Sequence, residues 1–290
     1  MTQSVGVGRT PAAGSEPAPF DVRAFARTAQ GSLRADLDLD AMARAGISHE
    51  VVRTIATLAE LEGATMEHLR NVLVTPTHKD ARVTAFLVSW AYEKYWIADA
   101  LRRIVTAIDD AIASESTDAA AHASTTDAGV IAPRTSAGRG PIRRALAGFA
   151  QGPDVVGAHL ALGYVDDLVL DLAYARLEAD AAAEATDRGN AALVDAIARI
   201  RAVKTRHSAF ADESARRLAA SPRAARLARR ELARSAWPLG SGSVATGDRE
   251  ALGRFAVPDA EARAALARGI RSLPGIDDRA VAAVVRRLGA

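Results

Sequence analysis

The chain has no cysteine, and only 4% of its 290 residues are aromatic. The absence of thiols excludes disulfides, thiolate catalysis, zinc-thiolate sites and iron-sulfur clusters. Aromatics this sparse give no stacking platform for single-stranded nucleic acid. An excess of one charge is missing too: 37 Lys and Arg stand against 35 Asp and Glu, a formal +2. Nucleic-acid binding would therefore need a local basic patch. No apolar run approaches the roughly 18 residues of a membrane-spanning helix, and the N-terminus lacks the basic-then-apolar order of a signal peptide. A soluble, cytoplasmic protein without a membrane span is the expectation. No alternating Val/Ile/Thr segment marks a strand, and no repeat of 20 to 50 residues marks a solenoid. Gly6-Val7-Gly8 and Gly240-Ser241-Gly242 lack the strand, Lys-Ser/Thr or dinucleotide context of a phosphate loop.

Present instead is a chain that is 49% hydrophobic and patterned almost throughout at helical spacing. Residues 1–34, rich in Gly, Pro, Ala, Ser and Thr, read as a disordered tail. Residues 35–220 read as a helical bundle carrying a flexible linker at 114–140, and residues 221–290 as a short helical C-terminal extension. The spacing predicts a first long helix after the cap Ser48, running to about Val74 before Pro76. A second starts near Asp80, a third follows Pro153-Asp154, and a fourth begins near Asn190. Helices of about 25 residues are roughly 37 Å long, the scale of a four-helix bundle. Ser221-Pro222 caps a basic helix reaching about Trp237, and two further short helices flank Leu273-Pro274-Gly275.

Each long helix carries an ionisable residue on its apolar stripe: Glu62, Lys94, Asp167 and Lys204, with His207 one turn beyond Lys204. Any one of these lysines alone is best explained by snorkelling from a stripe edge. Four such residues near the middles of four helices argue for a paired set, because an unpaired buried charge costs several kcal/mol.

Four segments carry a family resemblance: Leu69-Arg70-Asn71-Val72-Leu73, the run Thr84 to Trp96, the run Ile200 to Phe210, and Trp237-Pro238-Leu239-Gly240. Over about residues 46–275 the chain resembles the ferritin-like superfamily of di-iron carboxylate bundles, in particular acyl-carrier-protein desaturases and ribonucleotide reductase small subunits. That resemblance implies an all-α, ferritin-like four-helix bundle. It also implies a site with one Glu from each of two helices and a Glu-x-x-His pair from each of the other two, holding iron or manganese. Glu62 falls on the first-helix Glu and Asp167 on the third. Lys94 and Ile97 replace the second-helix Glu and His, while Lys204 and His207 stand where the fourth helix has Glu and His.

The resemblance thus implies a degenerate site that binds no cofactor, with Lys94 and Lys204 pairing with Glu62 and Asp167 in place of metal. The expected role is a non-catalytic scaffold or interaction protein, a pseudoenzyme that associates with copies of itself or a hetero-partner through helix faces. The enzyme alternatives are a mono-metal oxidoreductase using Glu62, Asp167 and His207 with iron or manganese, or a lysine-dependent catalyst. Glu93 is expected to be solvated or half-buried, one helical position being about 100° of rotation. His68 and His159 read as surface or edge residues, and Trp90, Tyr95, Trp96, Tyr164 and Tyr174 as packing aromatics. From Arg201 to Arg234, ten Lys or Arg face three acids, and Arg223, Arg226, Arg229 and Arg230 fall in one amphipathic helix. The default for that segment is a solvated or docked face; the alternative is an acidic partner.

Overall fold

A computed structural model describes residues 20–119, 152–183, 188–208 and 211–288. These are helical, with no strand among them. A short helix α1 (Val22–Arg27) and α2 (Leu39–Arg44) precede α3 (His49–Leu73) and α4 (Ala81–Ala119). Next come α5 (Val155–Ala183), α6 (Arg188–Ser208), α7 (Ala211–Ala220) and α8 (Pro222–Arg234), then α9 (Thr246–Ala256), α10 (Ala260–Arg271) and α11 (Asp278–Arg287).

The starts follow the capping chemistry. Ser48 accepts the Val51 N–H at 3.4 Å and opens α3, while Asp80 accepts the Val83 N–H at 3.0 Å and opens α4. Ser221 accepts the Ala224 N–H at 3.2 Å ahead of Pro222 in the first turn of α8, and Asp259 and Asp277 cap α10 and α11 in the same way.

The long helices pack chiefly as two pairs, α3 with α4 and α5 with α6, and α8 lies along α5. An ionic layer divides their apolar core. On α3 the larger cluster holds Ile55, Leu58 and Leu61, then Glu62 intervenes, and the smaller cluster takes Leu69 and Val72. Along α4 the smaller cluster holds Phe86, Leu87 and Trp90, Glu93 and Lys94 follow, and the larger cluster resumes with Ile97, Leu101 and Ile104.

Several expectations need correction. The described part of the predicted tail, residues 20–34, is structured: Phe25 of α1 is buried and packs against Phe20 and Phe86. Residues 1–19 lie outside the described residues. Helix α4 runs on through Ala119, into the predicted linker, whose remaining residues 120–140 fall outside those described. The helices of the C-terminal extension pack into the same core, where Leu232, Trp237, Leu266, Ile270 and Val284 join the cluster of α3 to α6. Helices α2, α7 and α9 had no individual signal strong enough to single them out. The Trp237–Pro238 peptide is cis, and Gly240 follows at φ 79°. A Cβ on Gly240 would lie 2.4 Å from the Ala64 Cβ, so glycine lets this segment close onto α3.

Candidate functional site

The predicted set converges. Lys204 Nζ donates to Glu62 Oε1 at 3.0 Å and to Asp167 Oδ1 at 3.0 Å. Lys94 Nζ donates to Asp166 Oδ2 at 2.9 Å and lies 3.1 Å from Glu62 Oε2 and 3.6 Å from Asp167 Oδ1. Glu62 therefore bridges both ammonium groups, one per oxygen. Lys94 and Glu62 have no exposed side-chain surface, and Lys204 has 2%. Asp167, at 14%, is the member through which the layer reaches outward.

Three residues of this network carried no such expectation. Asp166, adjacent to the predicted Asp167, takes Lys94 on Oδ2 and the Leu239 N–H at 2.7 Å on Oδ1, which ties the Trp-Pro-Leu-Gly segment to α5. Tyr174 donates its hydroxyl to Glu62 Oε1 at 3.2 Å, and the Trp90 indole N–H donates to Asp167 Oδ2 at 2.9 Å. Both aromatics are packed as expected, and each also spends its polar tip on a carboxylate. Tyr95, by contrast, is exposed.

Glu93 also departs from expectation. It is buried, accepting the Gln30 N–H at 2.8 Å and Arg206 Nε at 3.1 Å on Oε1, with His207 Nε2 at 2.9 Å from Oε2. The reason is that α4 is enclosed on two sides: Lys94 turns toward α3 and α5, while Glu93 turns toward α6 and the N-terminal segment. Arg206 extends the link to the Phe25 carbonyl and the Thr28 hydroxyl, each at 3.0 Å. His207 is paired with Glu93, and its Nδ1 faces Asp167 Oδ1 at 3.8 Å. Four carboxyl groups thus face two ammonium groups, one guanidinium and one imidazole. Ile97, at the position of the second-helix His, is buried apolar core.

The electrostatics follow from burial against charge. Burial pushes the Glu62 carboxyl up, but Lys204 and Lys94 outweigh it and hold it below the ordinary value. The same contest leaves Asp167 well below. Burial wins at Asp166, raising its carboxyl despite Lys94, with Asp167 adding to the rise. Burial pulls both lysines toward neutrality, and the facing carboxylates reverse it, so Lys94 and Lys204 are held above their ordinary value. Half-buried His68 and His159 are lowered to about 4 and about 3, by burial first and then by Lys94 and by His68 respectively. His159 Nδ1 pairs with the buried Thr77 hydroxyl at 2.9 Å.

As arranged, the residues do not fit the pair of iron or manganese ions that the resemblance implies. The oxygens that would bind metal face ammonium nitrogens at 2.9 to 3.1 Å, and Ile97 offers no donor atom. The composition carries a signal for this: the chain has only three lysines among its 37 Lys and Arg, and two of them are in this core. An ammonium presents three donors around a compact charge and fits between converging carboxylates, where a planar guanidinium does not.

A cavity of about 170 Å³ opens beside the layer, lined by Asp167, Lys204, Asp171 and Arg201 together with the apolar Phe86, Leu87 and Leu160. At the basic segment, Arg223 lies 3.6 Å from Asp154, and Arg229 donates to the Gly275 carbonyl at 2.7 Å and lies 3.5 Å from Asp277, so part of that face is docked within the chain. No described helix is long and apolar enough to cross a membrane. Compared with protein-family models, with curated proteins and with solved structures, the chain matches none.

Proposed function

We propose that the protein is a metal-free, ferritin-like bundle whose two core lysines supply the positive charge that two dications supply in carboxylate bundles, and whose role is that of a non-catalytic scaffold. The observation that carries this reading is the bridging of Glu62 by both Lys94 and Lys204. Four converging carboxylates are tolerable only against comparable positive charge, and here that charge is covalently part of the chain. The fixed ammonium groups repel any cation, which weighs against a mono-metal site at Glu62, Asp167 and His207. A lysine catalyst needs a neutral amine, and both lysines are held in the charged form. An interaction role is supported by Val88, Tyr92 and Tyr95, exposed at three- and four-residue spacing on α4.

Reductive methylation with formaldehyde and borohydride separates the scaffold from the lysine catalyst. The scaffold reading expects modification at the exposed Lys79 and none at Lys94 or Lys204 in folded protein; fast labelling of either core lysine would contradict it.

A further inference from the structure

We infer that α8 and α11 together present a docking surface for double-stranded DNA, held through its phosphates. Charge is unevenly spread along the chain: residues 211–290 carry 15 Arg, no Lys and nine acids, a formal +6 in a chain of +2. The rest is net acidic, and the positive charge is gathered at the C-terminal end.

The helices set that charge on one side. At about 100° per residue, Arg223, Arg226, Arg230 and Arg234 fall within about 80° of one another around α8, and all four are exposed. No acid shares that arc. Glu231 lies on its flank, and Ala224, Ala225, Ala228 and Leu232 turn the opposite face into the core. Helix α11 runs alongside in the same direction: Arg229 meets Gly275 and Asp277 at its start, and Arg287 donates to the Arg234 carbonyl at 2.6 Å at its end. Exposed Arg279 and Arg286, about two turns apart, extend the basic face onto α11. The acids at the start of α11 are engaged, Asp277 with Arg229 at 3.5 Å and Asp278 with Arg271 at 2.8 Å. Arg226, Arg230, Arg234, Arg279 and Arg286 have no side-chain partner among the described residues.

What such a face can hold follows from what it lacks. No large apolar side chain is exposed on α8 or α11, so it offers neither the desolvated centre of a protein interface nor a wedge for a bilayer. Its binding free energy has to come from the release of counterions. That release is greatest against a nucleic-acid duplex, which carries a charge about every 1.7 Å of its axis. Neither helix has an aromatic residue, so a single strand finds no stacking platform. A ridge one helix wide suits the B-form major groove, about 12 Å across, and is shut out of the narrow major groove of an RNA duplex.

The surface goes beyond the scaffold reading and uses none of the ionic layer, so metal content and DNA binding are read separately. Fluorescence anisotropy of the full-length protein with a labelled 20-base-pair duplex DNA of random sequence, over a salt series, tests it. The expected result is saturable binding at 50 mM salt, with log affinity falling against log salt at a slope of about −4 to −5, near −0.9 for each of five arginines. Replacing Arg226, Arg230 and Arg234 together by Gln should weaken binding at least about tenfold and make the slope shallower by about 2 to 3, with melting temperature kept. Replacing exposed Arg23, Arg44 and Arg70 by Gln removes the same charge elsewhere and should leave binding within about twofold. No saturable binding of the duplex would overturn the inference, as would equal weakening by the two triple variants. Tighter binding of phosphatidylserine vesicles, polyglutamate, single-stranded DNA or duplex RNA of the same length would overturn it in favour of that partner.

Discussion

Lys94 Nζ lies 3.1 Å from Glu62 Oε2, and neither side chain has any surface in contact with solvent. Two opposite charges from different helices meet where an apolar core would otherwise be continuous. The pair is not an independent contact. Lys94 also holds Asp166, which receives the Leu239 N–H, and Glu62 also holds Lys204, which reaches Asp167. The network therefore specifies the register of α3 to α6 and of the segment after α8 at once.

Removing one member should be costly because its partners remain buried. Lys94→Ala leaves Asp166 without its cation and Glu62 with one, and should destabilise the fold by about 3–5 kcal/mol. Urea unfolding measures this. A loss within a few tenths of a kcal/mol would show that Lys94 has an exposed alternative.

Charge alone is not enough at these positions. Lys204→Arg keeps the charge but forces a larger planar group between Glu62 and Asp167, and should cost about 1–3 kcal/mol, as overpacking does. Equal thermal stability of variant and parent would contradict the compact-ammonium argument.

Glu93 and Arg206 tie the N-terminal segment to the bundle through Gln30, Thr28 and Phe25. Glu93→Ala should loosen residues 20–34 and raise the rate of tryptic cleavage after Arg27, with a loss of about 1.5–3 kcal/mol from the charged hydrogen bonds. Mass spectrometry of a digestion time course reads the site directly, and unchanged cleavage there would remove Glu93 from the anchor.

Stability should fall at both pH extremes, for different groups. His68 and His159, lowered from 6.5 to about 4 and about 3, take up protons on unfolding below pH 6.5, so their contribution is full above that pH and lost as it falls. Glu62 and Asp167, held below 4.5 and 3.8, add to the loss at lower pH, and the raised Asp166 opposes it. On the alkaline side Lys94 and Lys204 are raised above 10.5 and Tyr174 above 10.0. Their contribution is full below those values and lost as pH rises beyond them. Melting temperature against pH, in parent and His68→Gln, checks the sign: the variant should lose part of the slope between about pH 4 and 6.5 and keep the alkaline limb.

Much of this layer was legible because a charged residue on an apolar stripe is a conspicuous break in helical periodicity. Glu62, Lys94, Asp167 and Lys204 stand out that way, and Ser48 and Ser221 announce their helices through capping chemistry. Asp166 and Glu93 escaped because periodicity assigns one inward position per turn, while α4 and α5 are enclosed on more than one side. Phe25 escaped because a six-residue helix has too few turns to show a period, and its burial depends on Phe86 far along the chain. The partner of His207 was a matter of rotamer and neighbouring helix, neither of which spacing encodes.

The proposed correspondence with di-iron bundles makes a constructive prediction. Lys94→Glu, Ile97→His and Lys204→Glu together restore two carboxylates and an imidazole around Glu62, Asp167 and His207, and the combined variant should bind iron or manganese with a rise in melting temperature on metal addition. A folded variant with no metal-dependent shift would argue against that correspondence of positions.

The central claim, that lysine stands in place of metal, is tested most directly by elemental analysis of the unmodified protein purified from cells supplied with iron and manganese. The ion network predicts no stoichiometric transition metal and no change in melting temperature on adding either ion. Two iron or manganese ions per chain, retained through gel filtration, would contradict it.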